Sequence, residues 1–183
     1  MPKIIPPLSM LVDDDDPNIP VGYRMPDGSN VLFPRVLYQT GAPLSVSGTT
    51  AKTIVSQVPI PPWMLKANGL IMYTQSWTVT NNANSKGLKV ELGGTAFYNA
   101  TAASTLTQND LRWIRNRNAP NSQVGLSTSG SGAFGTSGGA LATSAVDTNA
   151  RGNTLDFSIQ LASGADTAVL EAHSVIFFPS PQG

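Results

Sequence analysis

The amino-acid sequence predicts an all-β protein, a sandwich or barrel of antiparallel strands preceded by an extended N-terminal arm. Of its 183 residues, 48 are Ser, Thr or Asn, and 17 Gly and 14 Pro accompany them. These residue types favour strands and turns, whereas Glu occurs only twice, so charged residues that favour helices are scarce. Hydrophobic residues make up 40% of the chain, which supplies a core and excludes global disorder.

Residues 1–45 are predicted to form an extended docking arm. Each proline in this stretch fixes φ and removes a backbone donor, so a continuous helix or a central strand is not expected. The prolines are Pro2, Pro6, Pro7, Pro17, Pro20, Pro26, Pro34 and Pro43. Apolar side chains between them would anchor the arm to a partner, and we expect the anchors to be Ile4, Ile5, Leu8, Leu11 and Phe33.

Two short motifs lie inside the arm. Residues 25–29 (Met-Pro-Asp-Gly-Ser) have the composition of a tight turn and predict a small hairpin between residues 21–23 and 31–33. Four consecutive aspartates at 13–16 are interpreted as a solvated turn, with an acidic contact to a basic partner or a calcium loop as alternatives. The glycine and distal glutamate of an EF-hand do not follow, so no metal site is predicted.

Residues 46–183 are predicted to be the strand-built domain. Residues 70–79 are a long strand candidate, and in residues 88–92 and 155–161 apolar side chains alternate with polar ones. A last long strand is expected over residues 168–178, and residues 63–66 are the only helical possibility. At least seven strands separated by turns exclude a βαβ unit. The core of the sandwich is expected to contain Trp77, Leu88, Val90, Phe157 and Ile159.

The residues that could carry chemistry are few, and no enzyme activity, catalytic residue, cofactor or metal is predicted. The absence of cysteine excludes thiolate zinc sites and cysteine nucleophiles. His173 is the only histidine; strict alternation places it on one strand face with Glu171, and we expect both to face solvent or a subunit seam. Residues 130–135 have the letters of a dinucleotide-binding loop but lack the flanking strand and helix, so a flexible loop is expected.

The charge pattern argues against nucleic-acid and membrane partners. The chain carries 11 basic and 11 acidic residues, and residues 112–117 are the one basic patch that contains an aromatic side chain. Within that patch, Arg115 and Arg117 are expected to form hydrogen bonds across a subunit interface or to a neighbouring loop. No apolar run approaches the roughly 20 residues that cross a bilayer, and the first residues lack the order of a signal peptide.

Several segments, in order, resemble a jelly-roll-like domain that is common in virion proteins of tailed bacteriophages. They are residues 60–69 (Ile-Pro-Pro-Trp-Met-Leu-Lys-Ala-Asn-Gly), 76–86, 92–97 and 114–123. Residues 21–28 resemble the attachment segments that precede such domains. The resemblance implies a homotrimeric antiparallel β-sandwich that serves as a capsid decoration protein, a head fibre or a tail-fibre tip.

These observations lead to one functional prediction and one alternative. The prediction is a non-enzymatic phage structural protein, made in the bacterial host cytoplasm, which decorates or cements the capsid surface by binding the major capsid protein or another virion protein through its arm. The alternative is a tail-fibre or receptor-binding adhesin whose loops, residues 99–110 and 125–150, recognise a bacterial surface glycan. Phe134 is the only aromatic residue in the second loop that could stack on a sugar.

Overall fold

A computed structural model describes residues 9–12, 20–28, 30–104, 106–126 and 141–180. Ile4, Ile5, Leu8, the four aspartates and the glycine-rich residues 130–135 lie outside these ranges. The described residues form strands and turns without a helix. The strands are β1 (Ser9–Val12), β2 (Pro20–Arg24), β3 (Asn30–Leu32), β4 (Arg35–Thr40), β5 (Leu44–Ser47), β6 (Thr53–Pro59), β7 (Leu70–Val79), β8 (Lys86–Leu92), β9 (Thr95–Ala102), β10 (Thr107–Asn116), β11 (Gln123–Leu126), β12 (Leu141–Ser144), β13 (Thr154–Leu161) and β14 (Thr167–Phe178).

The strands form three sheets, and every neighbouring pair is antiparallel. The large sheet has the order β12-β11-β10-β7-β14-β4, and β5 also pairs with β14. The small sheet has the order β6-β13-β8-β9, and β1, β2 and β3 form a separate three-stranded sheet. With β4 and β5 counted as one broken strand, the two main sheets have the strand order of a jelly roll, to which β11 and β12 add an extension. The predicted all-β antiparallel sandwich is confirmed.

The core lies between the large and the small sheet. Burial alternates along the whole of β7, as expected for a strand with one face in the core. Trp77 of β7, Leu88 and Val90 of β8, and Phe157 and Ile159 of β13 are each at most 1% exposed. Tyr73 joins the two layers, because its ring packs edge-to-face on Phe157 and its hydroxyl donates to the carbonyl of Phe97 at 2.8 Å.

The short N-terminal sheet contains the predicted hairpin. β2 and β3 are antiparallel, and Gly22 lies opposite Leu32. The turn between them closes with a hydrogen bond from the Gly28 amide to the Met25 carbonyl at 2.9 Å. Gly28 has a φ of 89°, a conformation that a residue with a Cβ rarely adopts.

The sandwich begins earlier in the chain than residue 46, the first residue of the domain predicted from the sequence. Strand β4 and the first residues of β5 lie within the stretch assigned to the arm, yet both pair with β14 in the large sheet. The six residues of β4 lie between Pro34 and Pro43 and contain no proline themselves. Because β4 is the edge strand of its sheet, the flanking prolines remove no donor that the ladder needs.

Candidate interaction surface

His173 faces the core, contrary to the expectation that it faces solvent or a subunit seam. A β-bulge between Leu170 and Ala172 shifts the register of β14, so the inward positions change from even to odd numbers along the strand. His173 is therefore only 2% exposed, while Glu171 is half-buried on the other face and accepts a hydrogen bond from the Thr78 hydroxyl.

The surroundings of His173 are uncharged. Its Nε2 is hydrogen-bonded to Ser56 Oγ at 2.8 Å, and its ring packs on Tyr38 and Phe157 with centroid distances of 4.9 Å and 4.6 Å. Burial lowers the pKa of His173 below its ordinary value of 6.5. Its Nδ1 has no hydrogen-bond partner among the described residues, so no carboxylate orients the ring as in a catalytic triad.

Arg112 belongs to the basic patch of residues 112–117, but its side chain is buried. It is 8% exposed, its Nη2 contacts Asp110 Oδ2 at 2.7 Å, and its guanidinium lies 5.7 Å from the centre of the Tyr98 ring. Arg115 and Arg117 remain exposed at the surface. The described residues contain no group of three or more His, Asp or Glu side chains placed to hold a metal ion.

A buried polar network closes the end of the sandwich where β7 ends and β8 begins, and no sequence pattern predicted it. Lys86 is fully buried, and its Nζ donates to Asn82 Oδ1 at 2.5 Å and to the Asn84 carbonyl at 2.8 Å. The Asn82 amide nitrogen donates in turn to Asp166 Oδ1 at 2.5 Å, and Asp166 is 1% exposed. The side chain of Asn82, in the loop between β7 and β8, thus connects the buried lysine to the buried aspartate.

The outer face of the large sheet carries an apolar row, and this row is the candidate interaction surface. The ladder registers place Val36 opposite Ile176, Ile176 opposite Met72, and Met72 opposite Trp113, in a line across β4, β14, β7 and β10. Leu111 lies next to this line on β10. Val36 on β4 is 60% exposed and Leu111 on β10 57%, whereas the other members of the row, Ile176, Met72 and Trp113, are half-buried.

Further along the same face the side chains become polar and bond to each other. Thr74 Oγ1 and Ser174 Oγ are 2.6 Å apart across β7 and β14, and Thr78 contacts Glu171 four residues further along β7. These groups satisfy one another within the sheet. The apolar row is the part of this face where large apolar side chains remain accessible to solvent.

The outer face of the small sheet is different in character. It contains a shallow groove of about 380 Å³ where Gly87 leaves space between Lys89, Asn99 and Gln160. Lys52 and Glu91 form an ion pair on the same sheet at 2.5 Å. A polar and charged face of this kind remains hydrated, so the two sheets of the sandwich offer distinct surfaces.

Two of the predicted arm anchors lie among the described residues, and both are half-buried. Leu11 lies in β1, and Phe33 follows β3. The ring of Phe33 packs edge-to-face on Tyr23 with a centroid distance of 5.2 Å. Phe33 therefore stabilises the N-terminal hairpin within the chain itself.

Comparisons with known proteins give no family assignment. No protein-family model matches the sequence. No curated protein matches it. Among solved structures, one of the infectious bursal disease virus Gx strain matches with 14% identity and a TM-score of 0.27, covering 94% of this chain and 45% of that chain. The crystal structure of the infectious bursal disease virus VP2 subviral particle matches with 12% identity and a TM-score of 0.24, covering 81% and 42%.

The chain thus spans less than half the length of these viral chains. TM-scores of this size do not establish a common fold. No described segment is a helix that is both long and apolar enough to span a bilayer.

Proposed function

We propose that this protein is a non-enzymatic structural protein of a bacteriophage virion, a homotrimer that decorates the capsid. The observation that carries the proposal is the apolar row of Val36, Ile176, Met72 and Trp113 on the outer face of the large sheet. A row of large apolar side chains on an outer sheet face is stabilised by a further layer that covers it. The proposed layer is the same chain in a neighbouring subunit.

The size of the outer face fits self-association. Five strands (β4, β14, β7, β10 and β11) spaced at ~4.8 Å give a width of ~24 Å, and a ten-residue strand is ~33 Å long. The product, ~800 Å², is an upper limit for the whole face with its polar part included, and it is about the area that one partner buries in a stable protein interface. Arg115 on β10 and Glu171 on β14 lie on the same face outside the apolar row, so a neighbouring copy has to leave these two charges at the hydrated rim of the contact.

The N-terminal segment would then bind the particle. Residues 1–45 contribute the three-stranded sheet as well as β4, and β1 and β3 are the two edges of that sheet. Unpaired strand edges bind other chains by strand addition. The sandwich supplies the trimer, and the residues before β4 supply the contact with the major capsid protein or another virion protein.

The test compares three tagged chains in solution and in phage particles assembled in their presence. The wild-type chain should have about three times the 19.2 kDa mass of one chain in light scattering and should enter the particles. The double variant Val36→Lys/Leu111→Lys should be folded and monomeric, because two charges would be desolvated in the interface. Deletion of residues 1–20 should leave the trimer intact and abolish incorporation.

The control is Ile54→Lys, which places the same charge at another exposed apolar side chain, 46% exposed, on the small sheet. This variant should remain trimeric. A monomeric wild type or a trimeric double variant would refute the proposed interface. Normal incorporation of the truncated chain would refute the role of the arm.

A further inference from the structure

One end of the sandwich has a strained backbone and an exposed tryptophan that the proposed function does not use. We call it the Trp63 end; it consists of residues 61–69, which lead into β7, and residues 117–122, which follow β10. Among the described residues, positive φ values outside glycine occur at Trp63 (66°), Lys66 (46°) and Asn118 (56°). All three belong to this end. A bulky residue such as tryptophan rarely adopts this conformation, and such strain persists where the surrounding structure enforces it.

Hydrogen bonds hold the two turns of the Trp63 end together. The Asn116 backbone amide donates to the Gly69 carbonyl at 2.9 Å, and the Asn116 side chain donates to the Lys66 carbonyl at 2.5 Å. The Asn118 amide donates to Asn68 Oδ1 at 3.0 Å. Asn116 is itself buried and also donates to Thr148 Oγ1 at 2.9 Å. The backbone around Trp63 is therefore fixed before any ligand arrives.

Trp63 is 66% exposed, the highest value among the exposed large hydrophobic side chains of the described residues. Its turn contributes the exposed side chains of Lys66 and Asn68, and the neighbouring turn contributes those of Arg117 and Asn118. No acidic residue occurs in 60–69 or 115–123. A third turn, bonded to this end through the Thr148 amide and the Pro120 carbonyl at 3.0 Å, adds one acidic and one basic residue, Asp147 and Arg151.

We infer that the Trp63 end binds an acidic saccharide. A sugar ring has an apolar C–H face that stacks on an indole and an edge of hydroxyl groups that bond to amides. The exposed Trp63 ring supplies the first surface, and Asn68 and Asn118 supply the second. The cationic groups of Lys66 and Arg117 select a sugar that carries a carboxylate.

A protein partner fits these residues less well. Tryptophan at the centre of a protein interface is surrounded by other contacts that exclude water, and such a surface is continuous and apolar. Here the exposed ring belongs to an end of the sandwich whose other exposed side chains carry ammonium, guanidinium and amide groups, and these groups remain hydrated. An aromatic side chain on a backbone that is already ordered binds a small polyhydroxylated ring with a smaller loss of conformational entropy than one on a flexible loop.

The experiment is a glycan microarray that carries acidic and neutral bacterial saccharides, probed with the full-length protein. The best array ligand is then titrated by tryptophan fluorescence. The wild type should bind saccharides that contain uronic or sialic acids, and added salt should weaken the binding. Trp63→Ala should lower the affinity about tenfold or more, whereas Trp63→Tyr, which keeps an aromatic ring, should stay within about threefold of the wild type.

The matched control is Leu106→Ala, because Leu106 is 59% exposed and precedes β10 at the opposite end of the sandwich. It should bind like the wild type. The inference is overturned by an array without acidic ligands, by a Trp63→Ala variant of unchanged affinity, or by equal binding of neutral saccharides. Capture of a virion protein through Trp63 in place of a glycan would overturn it too. None of these results depends on the trimer interface, which is tested at other residues.

Discussion

Loss of the Asn82 side chain should lower the free energy of unfolding strongly. This side chain accepts hydrogen bonds from Lys86 Nζ and from the Asn84 amide at 3.0 Å, and it donates to Asp166. Lys86 and Asp166 are at most 1% exposed, so neither can turn to water when the amide is removed. A hydrogen bond to a charged group contributes about 1.5–3 kcal/mol. Asn82→Ala should therefore lower the free energy of unfolding by about 3–5 kcal/mol.

That loss is a large part of the stability of about 5–15 kcal/mol that is usual for a domain. In a chain of this length it corresponds to a fall of roughly 6–20 °C in the unfolding midpoint. The measurement is urea denaturation followed by circular dichroism, together with a thermal scan of the same samples.

The matched control is Asn84→Ala, because Asn84 is exposed and contacts Lys86 through its backbone carbonyl, which the substitution leaves in place. This control should change the unfolding free energy by less than about 0.5 kcal/mol. A loss below about 1 kcal/mol for Asn82→Ala, or equal losses for the two variants, would show that the amide does not connect the buried charges.

Two further predictions concern single residues. Burial lowers the pKa of His173 below 6.5, so as the pH falls the histidine is protonated in the unfolded chain before it is protonated in the folded one. The free energy of unfolding is therefore at its full value above pH 6.5 and declines below it, by at most about 1.4 kcal/mol per pH unit. Urea midpoints between pH 8 and 5 should show this decline for the wild type and not for His173→Gln, and equal slopes would contradict it. A Cβ at Gly69 would lie 2.3 Å from the Leu65 carbonyl oxygen, so Gly69→Ala should cost at least about 2 kcal/mol in the same assay. Gly41→Ala, where nothing lies within 4 Å of the new Cβ, should change the stability by less than about 0.5 kcal/mol, and similar losses in both variants would refute the clash.

The long strands were predictable because one face of each is in the core. β7 and β13 have the expected positions, since residues two apart along them are apolar and the sheet pleat repeats every two residues. β4 was harder to predict, because the proline-containing segments on both sides of it have the composition of a linker. Its strand conformation depends on pairing with β14, more than 130 residues away in sequence, and local patterns do not contain that information.

The candidate sites could not be read from alternation alone. The bulge near Glu171 reverses which side chains of β14 face the core, so a strict period of two assigned His173 to the wrong face. The apolar row was not predicted for a different reason. Met72, Ile176 and Val36 occupy outward positions, but because they are apolar they cannot be distinguished from core residues in the sequence. Only the ladder registers show that they align on one surface.

A trimer formed through the apolar row would raise the affinity of the Trp63 end for a polysaccharide. The apolar row crosses β7 at Met72, two residues after the strand begins, so it lies beside the Trp63 end. In a cyclic trimer each copy presents a given residue at the same height along the symmetry axis. The three Trp63 side chains would thus lie at the same end of the trimer, and a surface polysaccharide with repeated acidic units could occupy several at once. Because linked sites raise the overall affinity by about 10²–10⁴ when they bind together, a weak contact with one sugar ring is sufficient for the assembled protein.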